Sequence, residues 1–166
     1  MRRIPLLIAL AALLVGVLAI TATVDAKKKK PPFKTGKFAG TLISNPAGVP
    51  PTERPIRVSV YKSYGGRYQV DPGLSLNHRS ATLVTCPSGN RTKVMVFQSI
   101  YASKKTGKFS GKTLSQYPGG RIKGKLKGKK ISGTWSLNGP LDAAPDAETC
   151  TGSGTFTAKR YAVNPF

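Results

Sequence analysis

The sequence predicts an all-β fold, an antiparallel meander of about nine short strands that forms a single barrel or sandwich. Two observations support this prediction. Short segments in which apolar and polar residues alternate recur along the chain, and turns rich in glycine or proline separate them. After residue 26, no segment repeats apolar residues at the helical period over three turns. The alternation alone does not distinguish a barrel from a sandwich.

The clearest strand pair spans residues 121–137. Apolar residues or glycine alternate with cations as far as Lys127, and the alternation resumes at Ile131 with Trp135 in the buried phase. The break at Gly128-Lys129-Lys130 indicates a tight turn between the two runs. The pattern therefore predicts a β-hairpin with one face in the core and a row of cations on the other.

The other predicted strands are shorter. They span residues 37–43, 56–61, 67–71, 80–86, 93–99, 108–114 and 152–161. Tyr64-Gly65-Gly66 and Pro87-Ser88-Gly89-Asn90 are the clearest hairpin turns between them. Residues 35–40 and 106–111 agree at five of six positions. An internal duplication and a common strand-opening motif both explain this agreement.

The first 26 residues have the three parts of an export signal. Arg2 and Arg3 precede an apolar run at residues 4–20, and Val24 and Ala26 place small residues before a cut. Cleavage after Ala26 is therefore predicted. The alternative is an uncut segment that remains in the membrane as an anchor.

The chain beyond the signal divides into three parts. Residues 27–35 are predicted to form a disordered basic tether, residues 36–161 the β domain, and residues 162–166 a C-terminal tail. Lys27 to Lys30 are interpreted either as an electrostatic arm for an anionic polymer or a membrane surface, or as a solvated leader.

Cys86 and Cys150 are the only two cysteines, and we predict that they form one structural disulfide in an exported chain. His78 is the only histidine, and two thiols with one imidazole do not complete a four-ligand metal site. No metal or other cofactor is predicted. Because acidic residues are few, a hydrolase that uses His78 as a base is the least favoured interpretation.

The chain carries a formal net charge of +21, from 27 Lys and Arg against 6 Asp and Glu, which favours polyanionic partners. The residues predicted to bind a polyanion are Arg121, Lys123, Lys125, Lys127, Lys129 and Lys130. Outward residues of one strand recur about every 6.6–6.8 Å, so an extended anionic polymer fits along the row. Alternatively, the lysines only discourage association between strand edges.

The aromatic residues suggest a different class of function. Trp135 falls in the buried phase and not among the lysines, so stacking on nucleic-acid bases is not predicted. If the barrel were hollow, it would instead carry a small apolar ligand. Trp135, Phe97, Phe109 and Tyr61 are the candidates for the lining of that pocket.

Several motifs follow one another in a recognisable order. They read FAGT, IRVSV, LVTC, TGKFSG, RIKGKLKGKKISGTW and ETCTGSGTFTAKR. Over about residues 36–161 this order resembles small exported β proteins of high-G+C Gram-positive bacteria. The resemblance implies export, a disulfide and an all-β fold. That group has no assigned activity, so the resemblance implies no functional residue.

The sequence thus leads to one main expectation. It is an exported, non-enzymatic β domain that binds an anionic polymer at the cell surface, whether an acidic glycan, a teichoic-type polymer or a nucleic-acid backbone. An apolar-ligand carrier and a purely structural envelope protein are the alternatives.

Overall fold

The computed structural model describes residues 30–72, 81–116, 118–142, 144 and 146–161. The predicted export signal, the lysines at 27–29, His78 and the predicted C-terminal tail lie outside the described residues. Within the described ranges, no helix is long and apolar enough to cross a membrane. Every regular secondary-structure element in these ranges is a β-strand, so the predicted all-β class is confirmed.

The described chain forms ten strands, one more than the number predicted. They are β1 (Gly36–Ser44), β2 (Thr52–Lys62), β3 (Tyr68–Asp71), β4 (Thr82–Cys86), β5 (Gly89–Lys93), β6 (Ile100–Ala102), β7 (Lys108–Lys112), β8 (Gly120–Lys127), β9 (Lys130–Pro140) and β10 (Thr149–Arg160).

Eight of these strands follow one another around a nearly closed barrel. Their order in the sheet is β6-β3-β2-β1-β10-β9-β8-β7, and each neighbouring pair is antiparallel. Because β10 pairs with β1 and β7 follows β6 in sequence, the chain is an up-and-down meander whose last strand returns to its first. The β4–β5 hairpin is an insertion between β3 and β6. The predicted meander is confirmed, and it curls towards a barrel.

The barrel has one seam, between β6 and β7. The Ser103 N–H donates to the Lys108 carbonyl at one end of the seam (2.8 Å), and the Gln98 N–H donates to the Lys112 carbonyl at the other (3.0 Å). Between these two bonds the described strands β6 and β7 share no ladder. The seam is therefore held at both ends and open in its middle.

Side chains fill the inside of the barrel. The buried apolar residues that alternate along its strands include Phe38, Leu42, Ile56, Val58, Val60, Val70, Ile100, Phe109, Ile122, Leu126, Ile131, Trp135, Leu137 and Phe156.

Two glycines make room for the largest rings in this core. Gly124 and Gly133 face each other across β8 and β9. A Cβ atom on Gly124 would lie 2.5 Å from Phe109 Cζ, and one on Gly133 would lie 2.6 Å from Phe156 Cζ. Gly124 and Gly133 therefore point into the core, and the rings of Phe109 and Phe156 occupy the space that their side chains would take.

Phe33 covers the end of the barrel that holds the β8–β9 turn. Its side chain is 4% exposed and meets the Tyr68 ring edge to face, with ring centres 5.1 Å apart. The Lys34 N–H donates to the Gly128 carbonyl, and the Gly128 N–H donates to the Pro32 carbonyl, both at 2.9 Å. The packed domain therefore begins at Pro31, within the segment predicted as a disordered tether and earlier than the predicted residue 36.

The β4–β5 hairpin covers the opposite end. Val84 is fully buried, and a Cβ atom on Gly152 would lie 2.9 Å from its Cγ1 atom and 3.2 Å from the Trp135 ring. The hairpin turn was predicted, but its second strand is Gly89–Lys93 and not residues 93–99. These residues are mostly exposed and pair only with β4, so they lack the apolar alternation that identifies a strand.

Candidate functional site

The cations of β7 and β8 form one continuous basic strip on the outside of the barrel. Its members are Lys108, Lys112, Arg121, Lys123, Lys125 and Lys127, all of which are exposed. Along β8 they alternate with the buried residues Ile122 and Leu126. The predicted arrangement is therefore present, with the β8 cations on one wet surface and the core beneath them.

Lys129 and Lys130, the other two predicted binding residues, lie at one end of the basic strip. Gly128 has a φ angle of +56°, which allows a tight turn that joins Lys127 directly to Lys130. Lys130 also faces Lys159 on β10. All six predicted residues thus belong to one surface that runs along β8 and over its turn.

Like charges face each other across the strip. Lys108 lies directly opposite Lys125, and Lys112 lies directly opposite Arg121. Like charges in this position destabilise a sheet. None of these four cations has an acidic partner within hydrogen-bonding or ion-pair distance among the described residues. On the β9 side, Arg121, Lys123 and Lys125 face Ser136, Thr134 and Ser132, an arrangement that avoids such repulsion. On the β7 side, only Lys123 faces a hydroxyl, that of Ser110.

On the β9 side, hydroxyl groups continue three rows of the strip, whereas the row of Lys127 continues with Lys130 and Lys159. Reading across β8, β9 and β10, the rows are Arg121-Ser136-Ser153, Lys123-Thr134-Thr155 and Lys125-Ser132-Thr157. Hydroxyl groups both donate and accept hydrogen bonds. The outer surface thus places an array of neutral hydroxyls beside a line of cations that have no acidic partner in the described part of the chain.

Two shallow grooves cross this surface. One, of about 940 Å3, lies over the β6–β7 seam and is lined in part by Arg67, Tyr101 and Lys108. The other, of about 720 Å3, lies over β7 to β10 and is lined in part by Arg121 and Ser153. Lys123, together with Ser110 and Thr134, lines both grooves. Lys123 is therefore the cation at which the two grooves meet.

Sequence reasoning missed part of this site. Arg67 and Tyr101 were not predicted, because the turn before β3 and strand β6 are far from residues 121–137 in the sequence and reach the strip only through barrel closure. The Arg67 guanidinium carbon lies 3.7 Å from the centre of the Tyr101 ring. The position of Arg67 at a predicted hairpin turn could have marked it as a candidate. However, β6, the strand that carries its partner Tyr101, was not predicted.

The four predicted pocket residues do not line one cavity. Trp135 and Phe109 are 2% and 5% exposed and belong to the filled core, and Phe97 packs against that core from the connection before β6. Tyr61 is 44% exposed, because it lies in the outward phase of β2 next to the inward Val60. The Trp135 indole N–H donates to the Ile43 carbonyl (3.1 Å), so its polar group is used within the fold.

The predicted disulfide between Cys86 and Cys150 is confirmed. It joins the β4–β5 hairpin to β10 next to the pair Thr85 and Thr151. The Glu148 carboxylate approaches both sulfurs, and the three potential ligand atoms lie within 4.8 Å of one another. Since the sulfurs are bonded to each other, neither is a thiolate that could bind a metal in this state.

Glu148 instead ties down the hairpin turn. Its carboxylate accepts hydrogen bonds from the Ser88 hydroxyl (2.6 Å) and from the Ser88 N–H (3.0 Å). These bonds, with a smaller contribution from the Arg91 charge, lower the pKa of Glu148. The disulfide and the Glu148 carboxylate therefore both hold the β4–β5 turn against the start of β10.

Lys93 fastens the other end of the hairpin. Its side chain is 4% exposed, and its ammonium donates to the carbonyls of Pro140 (2.7 Å) and Leu141. Burial lowers the pKa of Lys93, while the Asp142 carboxylate acts in the opposite direction. The function of this lysine is structural, because its charge faces the loop after β9 and not the basic strip.

Comparison with known proteins adds no assignment. No family model matches the chain, and no curated protein is significantly similar to it.

Proposed function

We propose that this protein is an exported, non-enzymatic β domain that binds an anionic polymer along the basic strip. The observation that carries the proposal is the placement of like charges directly opposite each other in the sheet, Lys108 opposite Lys125 and Lys112 opposite Arg121. A sheet that needed lysine only for solubility would gain stability by placing a neutral residue at one member of each pair. The repulsion is relieved when anions of a ligand lie between the cations.

The strip fits a chain-like ligand. Successive outward residues of β8 are about 6.6–6.8 Å apart, and directly opposite residues of β7 are about 4.5–5.5 Å away. An extended polymer along β8 thus meets cations on its path and beside it. The hydroxyls of β9 and β10 supply neutral hydrogen-bonding partners along one side.

Recognition is mainly of charge. Each neutralised anion releases a counterion, so affinity falls linearly with the logarithm of salt concentration. The basic strip itself contains no aromatic residue. The ligand is accordingly held by its backbone charges and not by stacking.

Export is supported by the disulfide, because a bond of this kind persists in oxidising compartments. The apolar-carrier alternative gains no support, since side chains occupy the described interior. The proposed contribution of Lys27–Lys30 to membrane or polymer binding concerns mostly residues outside the described ranges.

The test is a salt titration of binding. Anisotropy of a fluorescein-labelled heparin fragment is followed between about 50 and 400 mM NaCl for the wild type and for the double variant Lys123→Ser/Lys125→Ser. The slope of log affinity against log salt should fall by about 2, one unit for each lysine removed.

The matched control is Lys37→Ser/Lys62→Ser, which removes the same charge from exposed positions outside both grooves. It should change the slope much less. Equal losses in the two double variants would mean that only net charge matters, and an affinity that does not depend on salt would refute electrostatic binding altogether.

A further inference from the structure

We propose that the groove over the β6–β7 seam is a site for phosphate groups, and that the polymer is a phosphodiester chain without bases. This inference rests on the proposed function and makes it more specific. It concerns the seam groove, lined by Arg67, Tyr101, Lys104, Lys108, Lys123 and Lys125 among others.

Both the backbone and the side chain of Arg67 are held in position by contacts within the protein. The Ser63 N–H and hydroxyl both donate to the Arg67 carbonyl, at 2.8 and 3.1 Å. The Tyr101 ring lies under the guanidinium at 3.7 Å, a cation–π contact. The guanidinium is thus held in place before a ligand arrives. An arginine held in this way loses less conformational freedom for each hydrogen bond that it makes.

Cations approach the groove from two walls. Arg67 and Lys104 come from the turns beside β3 and β6, and Lys108, Lys123 and Lys125 come from β7 and β8. The part of the lining that the structure describes includes no acidic residue. A group bound between the walls is therefore approached by positive charge from opposite directions.

This arrangement favours a tetrahedral oxyanion over a carboxylate. The oxygens of a carboxylate lie in one plane and point to one side, which suits a single arginine. A phosphodiester carries its charge on two non-bridging oxygens, each of which accepts hydrogen bonds from more than one direction. Arg67 can therefore donate one bond to each oxygen while lysines of the facing wall contact the same oxygens, whereas a carboxylate held by the same arginine turns its carbon chain towards that wall.

The aromatic surface of the groove favours a chain without bases. Single-stranded nucleic acids are usually held by bases that stack on aromatic rings. The described lining contains three aromatic residues: Tyr101 carries Arg67 on its ring, Tyr68 packs against Phe33, and Phe109 is buried in the core. The neighbouring groups on β9 and β10 are hydroxyls, which suit the polyol part of a phosphodiester polymer better than a base.

The experiment compares three labelled probes of equal length and charge. They are an oligonucleotide, the same phosphodiester chain with every base omitted, and polyglutamate. The wild type should bind the first two with similar affinity and both about tenfold more tightly than polyglutamate, the difference expected from one additional charge-assisted hydrogen bond, made by a lysine of the facing wall.

Two variants that preserve the net charge test the site. Arg67→Lys removes the planar guanidinium that can donate two parallel hydrogen bonds, and Tyr101→Leu removes the ring on which this guanidinium lies. Each should lose most of the preference for phosphodiester over carboxylate while the salt slope changes little. Arg57→Lys and Tyr61→Leu, at exposed positions on β2, are the matched controls and should keep the preference. Arg67→Lys leaves the core intact, so it remains informative if Tyr101→Leu unfolds.

The outcomes separate the two proposals. Polyglutamate that binds as tightly as the phosphodiesters overturns the phosphate site but leaves polyanion binding in place, and so does a preference that survives Arg67→Lys. Tighter binding of the base-containing probe overturns the proposal that the ligand lacks bases and indicates a nucleic acid instead. Failure of every probe to bind overturns this inference together with the proposed function.

Discussion

Replacing Lys108 with glutamate should stabilise the protein and weaken its binding at the same time. Lys108 faces Lys125 directly across β7 and β8 and has no acidic partner among the described residues. Lys108→Glu turns this repulsion into an attraction. Cross-strand charge pairs contribute about 0.2–1 kcal/mol, and a full reversal should reach the upper part of that range. For a chain of this size, 1 kcal/mol raises Tm by about 2–4 °C.

The assay is thermal unfolding of the wild type, Lys108→Glu and Lys37→Glu at low and high salt. Lys37 is exposed and faces Ser59, so Lys37→Glu makes the same change in net charge without relieving a direct pair. The additional stabilisation in Lys108→Glu should disappear near 1 M NaCl, where charges are screened within about 3 Å. A lower Tm for Lys108→Glu, or a gain that persists at high salt, would refute the reasoning from like-charge pairs.

Three further predictions concern the parts that close the barrel. Phe33→Ala should lose about 3 kcal/mol in urea unfolding, because a buried ring is deleted at the barrel end; an unchanged midpoint would mean that the 31–35 segment contributes nothing to the fold. Cys86→Ser/Cys150→Ser should lose about 4 kcal/mol on the chain-entropy model, and reduction of the wild type should give the same midpoint. The Glu148 pKa is lowered in the folded state, so its contribution to stability is present above the ordinary value of 4.5 and is lost as pH falls through the lowered value. Stability measured against pH in Glu148→Gln should lack this component, and identical acid profiles would contradict the assignment.

The central hairpin was predictable from sequence because local signals agree there. Cations alternate strictly with core residues, and the glycine at 128 stands where the turn needs a positive φ angle. The buried phase of Trp135 follows from the same alternation. Applied to β2, this alternation already places Tyr61 on the wet side next to the inward Val60, away from the core that holds Trp135.

What sequence reasoning missed depends on contacts between distant segments. The pairing of β1 with β10, which closes the barrel, joins residues from opposite ends of the domain, and strand patterns do not encode such pairing. The seam groove exists only because closure brings Arg67 beside β7 and β8. Phe33 was assigned to a tether because prolines and lysines surround it, although one aromatic residue suffices to dock a short segment.

The most direct test of the central claim is to map the bound polymer by amide chemical shifts. The phosphodiester chain without bases is titrated into isotope-labelled protein at low salt. The account predicts saturable shifts in Lys108–Lys112 and Gly120–Lys127, with β1 and β2 largely unchanged. Shifts that spread evenly over all strands, or that concentrate on β1 and β2, would contradict a ligand bound along the basic strip.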